Sequence, residues 1–304
     1  MGEKLGMGVE NVPAKATGGR NGKSIPVLRP KRNPDYSREL AVAKKAALAA
    51  GRVLASYWRT RDYEVNSKGR GQPVTEADLE ADRTIRRIIT TAFPADGWLS
   101  EETVDSGDRL ARDRVWIVDP LDGTKEFIKG IPEFSVAIAL SHRGQAVVGV
   151  TYNPIKREMY SAASGLGCFL GSKRVRVTRT RVLKRATVLA SRSEIARGEW
   201  QVFDGVVAVS PTGSVAYKLA MVAAGKGDAT FTRSPKSEWD IASGAALIAQ
   251  AGGTLTDIEG DPVRLNQKNV KLHGLIASNG VLHEQLTKLA QENLLPPERP
   301  KPRA

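Results

Sequence analysis

The sequence has almost none of the residues that build disulfides or zinc sites. It contains one cysteine, Cys168, so a disulfide within the chain is excluded, and we expect this residue to be a small buried hydrophobic side chain. Only three histidines accompany it: His142, His273 and His283. This is too small a set for zinc sites made from Cys and His clusters. Any metal ion would be held mainly by oxygen, which points to magnesium, manganese or calcium.

Long apolar runs are missing as well. No uninterrupted apolar stretch approaches the roughly 18 residues that a membrane-spanning helix needs, and the opening MGEKLGMGVE lacks the apolar core of a signal peptide. We therefore expect a cytoplasmic protein without a membrane segment. With 304 residues, 41% of them hydrophobic, the chain is long enough for one large domain or two packed halves.

Acidic residues are scarce relative to basic ones. The chain has 46 Lys and Arg against 33 Asp and Glu, which gives a net charge of +13. Much of the excess lies in residues 1–34 and 293–304, which are rich in Pro, Gly and charge, and we expect both to be disordered tails. A further basic run at residues 172–185, SKRVRVTRTRVLKR, alternates charge with valine as a half-exposed strand would. We interpret these charges as solvated surface rather than a dedicated nucleic-acid site, and expect no specific nucleic-acid partner.

The spacing of apolar residues divides the body of the chain into two halves. Residues 35–183 begin with two predicted helices, at 36–58 and from Thr75 to about Ala92, where Pro94 ends the second. A run of predicted antiparallel strands follows, so this half is expected to be α+β. In residues 184–292 strands alternate with helices, which favours an α/β half. With no repeat and no long linker, the halves are expected to pack into one unit.

The stretch WIVDPLDGTKEFIKG, residues 116–130, has the most informative pattern of acidic residues. An apolar run ends at Asp119-Pro120, and a second acid, Asp122, precedes Gly123-Thr124. Pro120 restricts the backbone, so the two carboxylates can face the same way, and close carboxylates repel each other unless a cation lies between them. Gly123 allows close approach of a ligand, and free N–H groups at a following helix start would bind an anion such as phosphate. Together these features predict a metal-assisted phosphoryl site.

Three further acidic positions lie at the ends of predicted elements, and each has a simpler explanation. Asp78 could merely complete a capping box with Thr75. Asp240 could be a helix N-cap, and Glu101-Glu102 could be a solvated loop. The alternative is that all three positions join Asp119 and Asp122 in one acidic site.

Three motifs in this order resemble the inositol monophosphatase superfamily of lithium-sensitive, magnesium-dependent phosphatases. They are SEE at residues 100–102, WIVDPLDGTKEF at 116–127 and SEWDIASGAALIAQAGG at 237–253. The resemblance covers roughly residues 36–290. Within the superfamily, DPLDGTKEFIKG is most similar to the bisphosphate nucleotidases of the CysQ type, which remove the 3′-phosphate from 3′-phosphoadenosine 5′-phosphate. The implied fold is a layered α-β-α-β-α sandwich with the site between its halves.

The resemblance also implies roles for individual residues. Glu101, Asp119 and the Leu121 carbonyl would hold a first Mg²⁺, and Asp119, Asp122 and Asp240 a second, with a weaker third ion near Glu101. Asp78 would hydrogen-bond Thr124, whose hydroxyl orients the attacking water. The implied catalytic residues are thus Asp78, Glu101 and Thr124. The residues expected to contact substrate are Leu121, Asp122, Gly123, Thr124, Arg192, Ser214, Lys218, Arg233 and Asp240.

The expected substrate is a small phosphorylated nucleotide whose second phosphate is bound by Arg192, Lys218 or Arg233. Arg233 lies seven residues before Asp240, where inositol-specific relatives usually have an acid, and arginine suits a phosphate better. Two alternatives stay open. One is an inositol-phosphate or other sugar-phosphate monoesterase, and the other is a basic nucleic-acid-binding protein on an inactive phosphatase scaffold. A homodimer is compatible with the sequence.

Overall fold

The computed structural model describes residues 35–67 and 73–292, and these form seven α-helices. The predicted disordered tails, 1–34 and 293–304, lie outside the described residues. The first two helices match the sequence prediction to within two residues at each end. The helices are α1 (Ser37–Thr60), α2 (Glu76–Ala92), α3 (Thr124–Lys129), α4 (Arg192–Ala196), α5 (Val215–Ala223), α6 (Glu238–Ala251) and α7 (His283–Glu292).

Sixteen strands accompany the helices in the same described residues. They are β1 (Val65–Ser67), β2 (Pro73–Thr75), β3 (Gly97–Ser100), β4 (Arg114–Asp122), β5 (Ser135–His142), β6 (Gln145–Asn153), β7 (Glu158–Ala163), β8 (Gly167–Leu170), β9 (Lys173–Val175), β10 (Thr187–Ala190), β11 (Ala208–Pro211), β12 (Ala229–Thr232), β13 (Lys236–Ser237), β14 (Thr254–Thr256), β15 (Lys271–Leu272) and β16 (Leu275–Ser278). Two short antiparallel pairs, β1-β2 and β13-β15, stand apart from the two large sheets.

The first large sheet has seven strands in the order β3-β4-β5-β6-β7-β8-β9. Every neighbouring pair is antiparallel except β3 and β4, which are parallel. The prediction of an antiparallel run was therefore wrong at this edge. The parallel pair brings Ser100, the last residue of β3, beside Val118 of β4. Glu101 after β3 and Asp119 in β4 therefore lie at one edge.

The second large sheet has five strands in the order β11-β10-β12-β16-β14. Its β10-β11 and β10-β12 pairs are parallel, whereas β16 runs antiparallel to both of its neighbours. The sheet is thus mixed, with parallel strands joined through helices as expected of an α/β half. The exact boundary between the halves at residues 183 and 184 stays a prediction.

The buried side chains form layers that alternate helices and sheets. One cluster joins α1 and α2 to the first sheet, and a second joins α5 and α6 to both sheets. A third lies on the far side of the second sheet, where Leu286 and Ala290 of α7 contact the same cluster as Phe203 and Phe231. This order of helix, sheet, helix, sheet and helix confirms the predicted layered sandwich.

The central layer is close to the first sheet because small residues line the contact. A Cβ added to Gly149 of β6 would lie 2.3 Å from the backbone oxygen of Ser243 in α6. On its other side, a Cβ on Gly244 would lie 2.4 Å from Leu219 of α5. Glycine is therefore required for backbones this close, and the contact fixes α6, whose first turn carries Asp240, against the sheet that carries Asp119.

Candidate metal centre

Strand β4 does not stop at Asp119, as the sequence predicted, but continues through Pro120 to Asp122. Its pairing with β5 shifts at this point, because Asp119 pairs with Ala137 and Asp122 pairs with Ser135. Three steps along β4 thus match two along β5, which is a β-bulge. Residues three apart on a regular strand face opposite sides of the sheet, and the extra residue cancels that alternation. The bulge therefore explains how Asp119 and Asp122 both come to line one pocket.

Three carboxylates meet at this edge from three different elements. Glu101 follows β3, Asp119 lies in β4, and Asp240 lies in the first turn of α6. One carboxylate oxygen from each lies within 4.8 Å of the other two. The structure therefore brings Glu101 and Asp240 to Asp119, as the acidic-site alternative requires. Hard oxygen ligands in this number suit Mg²⁺.

Asp122 lies in the same pocket but directs one oxygen at α5. Its Oδ2 accepts hydrogen bonds from the Ser214 hydroxyl at 2.6 Å and from the backbone N–H of Ala216 at 2.5 Å. Ser214 in turn accepts the Tyr217 N–H at 3.0 Å, so it caps the start of α5. Ser214 is thus a structural link between Asp122 and α5 as well as a pocket residue, and Asp122 keeps Oδ1 for a ligand.

Asp78 has both of the roles considered from the sequence, since it completes a helix capping box and also hydrogen-bonds Thr124. Its Oδ2 accepts the Thr75 N–H at 2.8 Å, which closes the capping box at the start of α2. Its Oδ1 accepts the Thr124 hydroxyl at 3.2 Å, and the Leu121 carbonyl lies 3.1 Å from the same hydroxyl. Thr124 is therefore held between two acceptors, which leaves its lone pairs free to receive a hydrogen bond from a water.

Asp240 is not the N-cap of its helix, which corrects the simpler sequence reading. Ser237 is the N-cap of α6, and Asp240 is the third helical residue that completes the capping box. One carboxylate oxygen of Asp240 accepts the Ser237 N–H at 2.8 Å. The capping box therefore orients the Asp240 carboxylate. Like Asp78, Asp240 can cap its helix and take part in the metal site at the same time.

Burial and mutual repulsion make the ionised form of these acids costly. Burial, followed by repulsion from Glu101, Asp122 and Asp240, holds the pKa of Asp119 well above its usual range. Burial also raises the pKa of Asp122, although the Ser214 and Ala216 hydrogen bonds oppose this. Burial and the charges of Asp122 and Glu101 raise the pKa of Asp240 to about 7. A divalent cation between these carboxylates would remove the repulsion, so the residues fit a metal site.

The carboxylates line a pocket of about 330 Å³. The same lining includes four lysines, Lys125, Lys129, Lys218 and Lys236, together with the Gly123-Thr124 turn at the start of α3. Gly123 has a φ of 99°, which favours glycine, and a Cβ there would lie 3.0 Å from the Glu133 carbonyl. An anion in this pocket would thus meet both the carboxylates with their ions and several ammonium groups.

The three basic residues predicted to bind a second phosphate occupy different positions in the structure. Lys218 lies in the pocket wall and is only 6% exposed. Arg192 also lines the pocket, but its guanidinium forms a two-pronged ion pair with Glu133 at 2.9 and 3.0 Å. Arg233 does not line this pocket and instead borders a small separate cavity with Glu194 and Trp200. Ala229 and Phe231 of β12 pack in the outer cluster, and Arg233, two residues after Phe231, lies on the same side.

Several further residues of the pocket lining were missed by sequence reasoning, among them Lys125, Glu126, Lys129 and Lys236. Lys236 lies four residues before Asp240, in β13, and its closeness to the acidic motif was a usable signal. Glu126 lines the pocket from α3, and burial raises its pKa. Lys125 and Lys129 of the same short helix also line the pocket. Nothing in the local sequence indicates this, because charged residues are usually exposed to solvent.

The family model described as the inositol monophosphatase family matches residues 35–295. The chain belongs to this family. An inositol-1-monophosphatase from Mesorhizobium japonicum is 37% identical over 266 residues, which cover 84% of this chain and 97% of that protein. The solved structure of an IMPase from Thermotoga maritima covers 84% of this chain and 98% of its own, with a TM-score of 0.75 and 30% identity. CysQ from Bacteroides thetaiotaomicron covers 81% of this chain and 98% of its own, with a TM-score of 0.68 and 29% identity.

These relationships confirm the predicted superfamily and its fold. The family is one of magnesium-dependent phosphatases, and the described residues contain the acidic cluster that such chemistry needs. The membership supports a phosphoric monoester hydrolase. The narrower assignment to nucleotidases of the CysQ type stays a prediction, since relatives named for inositol phosphate are also similar over the same range.

Proposed function

We propose that this protein hydrolyses small phosphate monoesters with two Mg²⁺ ions, and a weaker third, held at the edge of the first sheet. The supporting observation is the convergence of Glu101, Asp119 and Asp240 within 4.8 Å, beside Asp122 and the Leu121 carbonyl. Ions held there would supply Lewis-acid stabilisation of the negative charge on the phosphoryl group and the leaving oxygen.

The chain's own residues would position the reactants. Thr124 lies with its hydroxyl between Asp78 and the Leu121 carbonyl, so it can accept a hydrogen bond from the attacking water and orient it. Asp78 holds the hydroxyl in that direction and has its other oxygen fixed by the α2 capping box. The Gly123 and Thr124 amides at the start of α3 would bind oxygens of the transferred phosphate. No histidine is needed for this role.

We propose a nucleotide with phosphates on the 3′ and 5′ oxygens of ribose, such as 3′-phosphoadenosine 5′-phosphate, as the substrate. Lys218 carries this proposal. Its side chain is almost fully buried in the pocket wall, and within the described residues its ammonium makes no hydrogen bond or ion pair. Burial lowers the pKa of Lys218, and the negative charges of Glu194, Asp122 and Glu126 oppose this only in part. An anion bound beside the ammonium would therefore stabilise its charged form. A second phosphate in this pocket would do so, and Lys236 could contact the same group.

A second candidate is an inositol monophosphate. The observation that favours it is the 37% identity to a protein named inositol-1-monophosphatase, over 97% of that protein's length. A monophosphorylated polyol has one anionic group, which the metal ions would bind, and it would bring no second anion to Lys218. The two candidates therefore make opposite demands on this lysine.

Turnover of the two substrates by matched variants distinguishes the candidates. Lys218→Met preserves the length and apolar volume of the side chain, so it removes the charge with little change in packing. Losing one charge-assisted contact to phosphate, worth about 1.5–3 kcal/mol, should lower kcat/KM for the bisphosphate about ten- to a hundredfold. Arg233→Met is the control, because Arg233 lies outside the pocket, and it should change neither substrate's turnover.

Two outcomes would contradict the nucleotide assignment. The first is a wild-type preference for inositol monophosphate over the bisphosphate nucleotide. The second is an equal loss on both substrates in Lys218→Met, since a monophosphate has no second group to lose its partner.

We also propose a cytoplasmic location, as the sequence analysis predicts. Among the described residues, no helix is both long and apolar enough to cross a membrane.

A further inference from the structure

The basic run predicted as a half-exposed strand connects the two large sheets along one side of the molecule. We call residues 173–185 the basic strap. It begins as β9, the last strand of the first sheet, and ends just before β10 of the second sheet. Seven of its thirteen residues are Lys or Arg, and the sequence contains no Asp or Glu between Glu158 and Glu194.

Hydrogen bonds to both halves hold the strap in place. The Val177 N–H donates to the carbonyl of Ala251, the last residue of α6, at 3.3 Å. The buried Asn279 side chain donates to the Thr178 hydroxyl at 3.0 Å and to the Thr180 carbonyl at 2.9 Å. The Thr178 hydroxyl donates to the carboxylate of the buried Asp228. These contacts fix the inward side of the strap, so its charged side is held in a defined direction.

The outward side of the strap is a row of arginines. Arg174, Arg176, Arg179 and Arg181 are exposed, while the valines and threonines between them are partly buried. Within the described residues, none of these arginines forms an ion pair or side-chain hydrogen bond, and Asp228 is turned inward to Thr178 and Thr187. The negative end of the α6 helix dipole attracts cations only near the last turn of the helix. It therefore cannot account for all four arginines.

We propose that the basic strap binds the phosphate backbone of a nucleic acid. From Arg174 to Lys184 an extended chain spans at most about 35 Å, close to one turn of a duplex at about 34 Å. The segment 170–199 contains no aromatic residue, so it offers no surface on which bases could stack. Contacts to phosphate alone carry no sequence information, and binding would be independent of sequence. This fits the expectation of no specific nucleic-acid partner but assigns the charges a binding role.

A membrane is the less favourable partner for this surface. Membrane-binding segments combine cations with an apolar face that enters the lipid, whereas Val182 is the one large hydrophobic side chain of the strap that is more than half exposed. The strap also lies far from the candidate metal centre. Asp240 is in the first turn of α6 and Ala251 ends it, and the helix of 14 residues is about 20 Å long. Binding at the strap should therefore not depend on the proposed phosphatase activity.

The test compares two full-length variants that lose the same number of positive charges. The strap variant carries Arg174→Gln, Arg176→Gln, Arg179→Gln and Arg181→Gln. The control variant removes four exposed cations from α1 and α2 and carries Lys45→Gln, Arg52→Gln, Arg83→Gln and Arg87→Gln. Binding to a single-stranded 30-mer, to the same sequence as a duplex and to vesicles with anionic lipid is measured against salt concentration. Turnover of a phosphate monoester reports that each variant is folded.

We expect the strap variant to bind at least one nucleic acid form less tightly, with turnover unchanged. Removing four phosphate contacts should reduce the salt slope by about 3, which at physiological salt corresponds to a loss of roughly a hundredfold. The control should lose much less. Equal losses in both variants would show that only net charge matters and would overturn the proposal. So would undetectable wild-type binding at low salt, or a strap variant that loses vesicle binding while keeping nucleic-acid binding.

Discussion

Asp119 is the residue on which the candidate metal centre depends most. It is 1% exposed, its Oδ1 accepts the Leu121 N–H at 2.9 Å, and its carboxylate lies nearest to charges from three other acids. That hydrogen bond ties the side chain to the backbone of Leu121, whose carbonyl is another proposed ligand from β4. A buried carboxylate beside other carboxylates is favourable only when a cation is bound. Replacing Asp119 should therefore affect catalysis more than folding.

Asp119→Asn should lower phosphatase turnover at least about a hundredfold, on the scale of losing several kcal/mol of electrostatic stabilisation. The substitution removes a negative oxygen while nearly preserving volume, so the fold should survive. Steady-state kinetics with saturating Mg²⁺ and near-ultraviolet circular dichroism measure the two effects. Asp113→Asn is the control, because this exposed acid forms only a surface ion pair with Arg143. Near-normal turnover in Asp119→Asn would rule out the proposed metal ligand.

Asp240 gives a prediction of pH dependence for the metal-free protein. Its folded pKa of about 7 is above the ordinary value of 3.8, so folding favours the protonated form. Its contribution to stability is therefore fully present below pH 4 and is lost as pH rises through about 7. With Mg²⁺ removed by chelation, Asp240→Asn should melt at a higher temperature than wild type at pH 8. The difference should shrink toward pH 4. A constant difference across this range would show that the charge of Asp240 is not the cause.

At the scale of elements, the position of α6 between the two sheets depends on small side chains. The contact of Gly149 with the Ser243 backbone sets how closely β6 and α6 approach, and through them β4 and the first turn of α6. Serine hydroxyls reinforce it, since Ser243 and Thr151 hydrogen-bond at 2.9 Å inside the layer. The spacing of Asp119 and Asp240 is therefore set partly by residues far from the pocket.

Gly149→Ala should destabilise the protein by about 1–3 kcal/mol through overpacking. Replacing glycine elsewhere in a strand can stabilise by about 0.4–1 kcal/mol through the unfolded state, but the added Cβ would lie 2.3 Å from a backbone oxygen. The clash should exceed that gain, because a backbone atom cannot rotate away. Urea unfolding followed by circular dichroism measures the midpoint. A midpoint equal to or above that of wild type would show that the layers can separate without cost.

At the scale of the whole molecule, some charged segments line the pocket and others lie outside it in the sequence. The pocket is lined by residues between Pro73 and Asp240, which belong to β2, β4, α3, α4, α5, β13 and α6 and to the segments between elements. Residues 1–34 precede the part of the chain that the family model matches. Their seven Lys and Arg against two Glu make them strongly basic, and their apolar residues show no period.

Deletion of residues 1–34 should leave kcat and KM for a phosphate monoester nearly unchanged, because no proposed site residue lies there. It should weaken nonspecific nucleic-acid binding and reduce its salt slope, since the number of available cations falls. The turnover assay and a salt titration of oligonucleotide binding measure the two effects separately. A truncated protein that fails to fold would show that this segment packs on the body, which the sequence did not predict.

Short-range patterns in the sequence determined much of the fold and most of the candidate site. The predicted helices at 36–58 and 75–92 correspond to α1 and α2, since apolar periodicity and stop signals such as Pro94 act over a few residues. Asp78, Glu101, Asp119, Asp122 and Asp240 were all proposed from the sequence, and the structure brings them to one edge of the first sheet. Asp78, Glu101, Asp122 and Asp240 lie at or next to element ends, where local signals are strongest, whereas Asp119 lies within β4.

Tertiary structure alone decided how these residues face one another. The bulge between Asp119 and Asp122 needs the register of β5, and the parallel pairing of β3 with β4 depends on strands separated in the chain. From the sequence alone, Lys218 and Arg233 are both candidates for one phosphate site. In the structure Lys218 is buried in the pocket wall, whereas Arg233 follows β12 and borders a separate cavity. Local sequence specifies the residue types of an element, but the side on which a side chain lies depends on what packs against it.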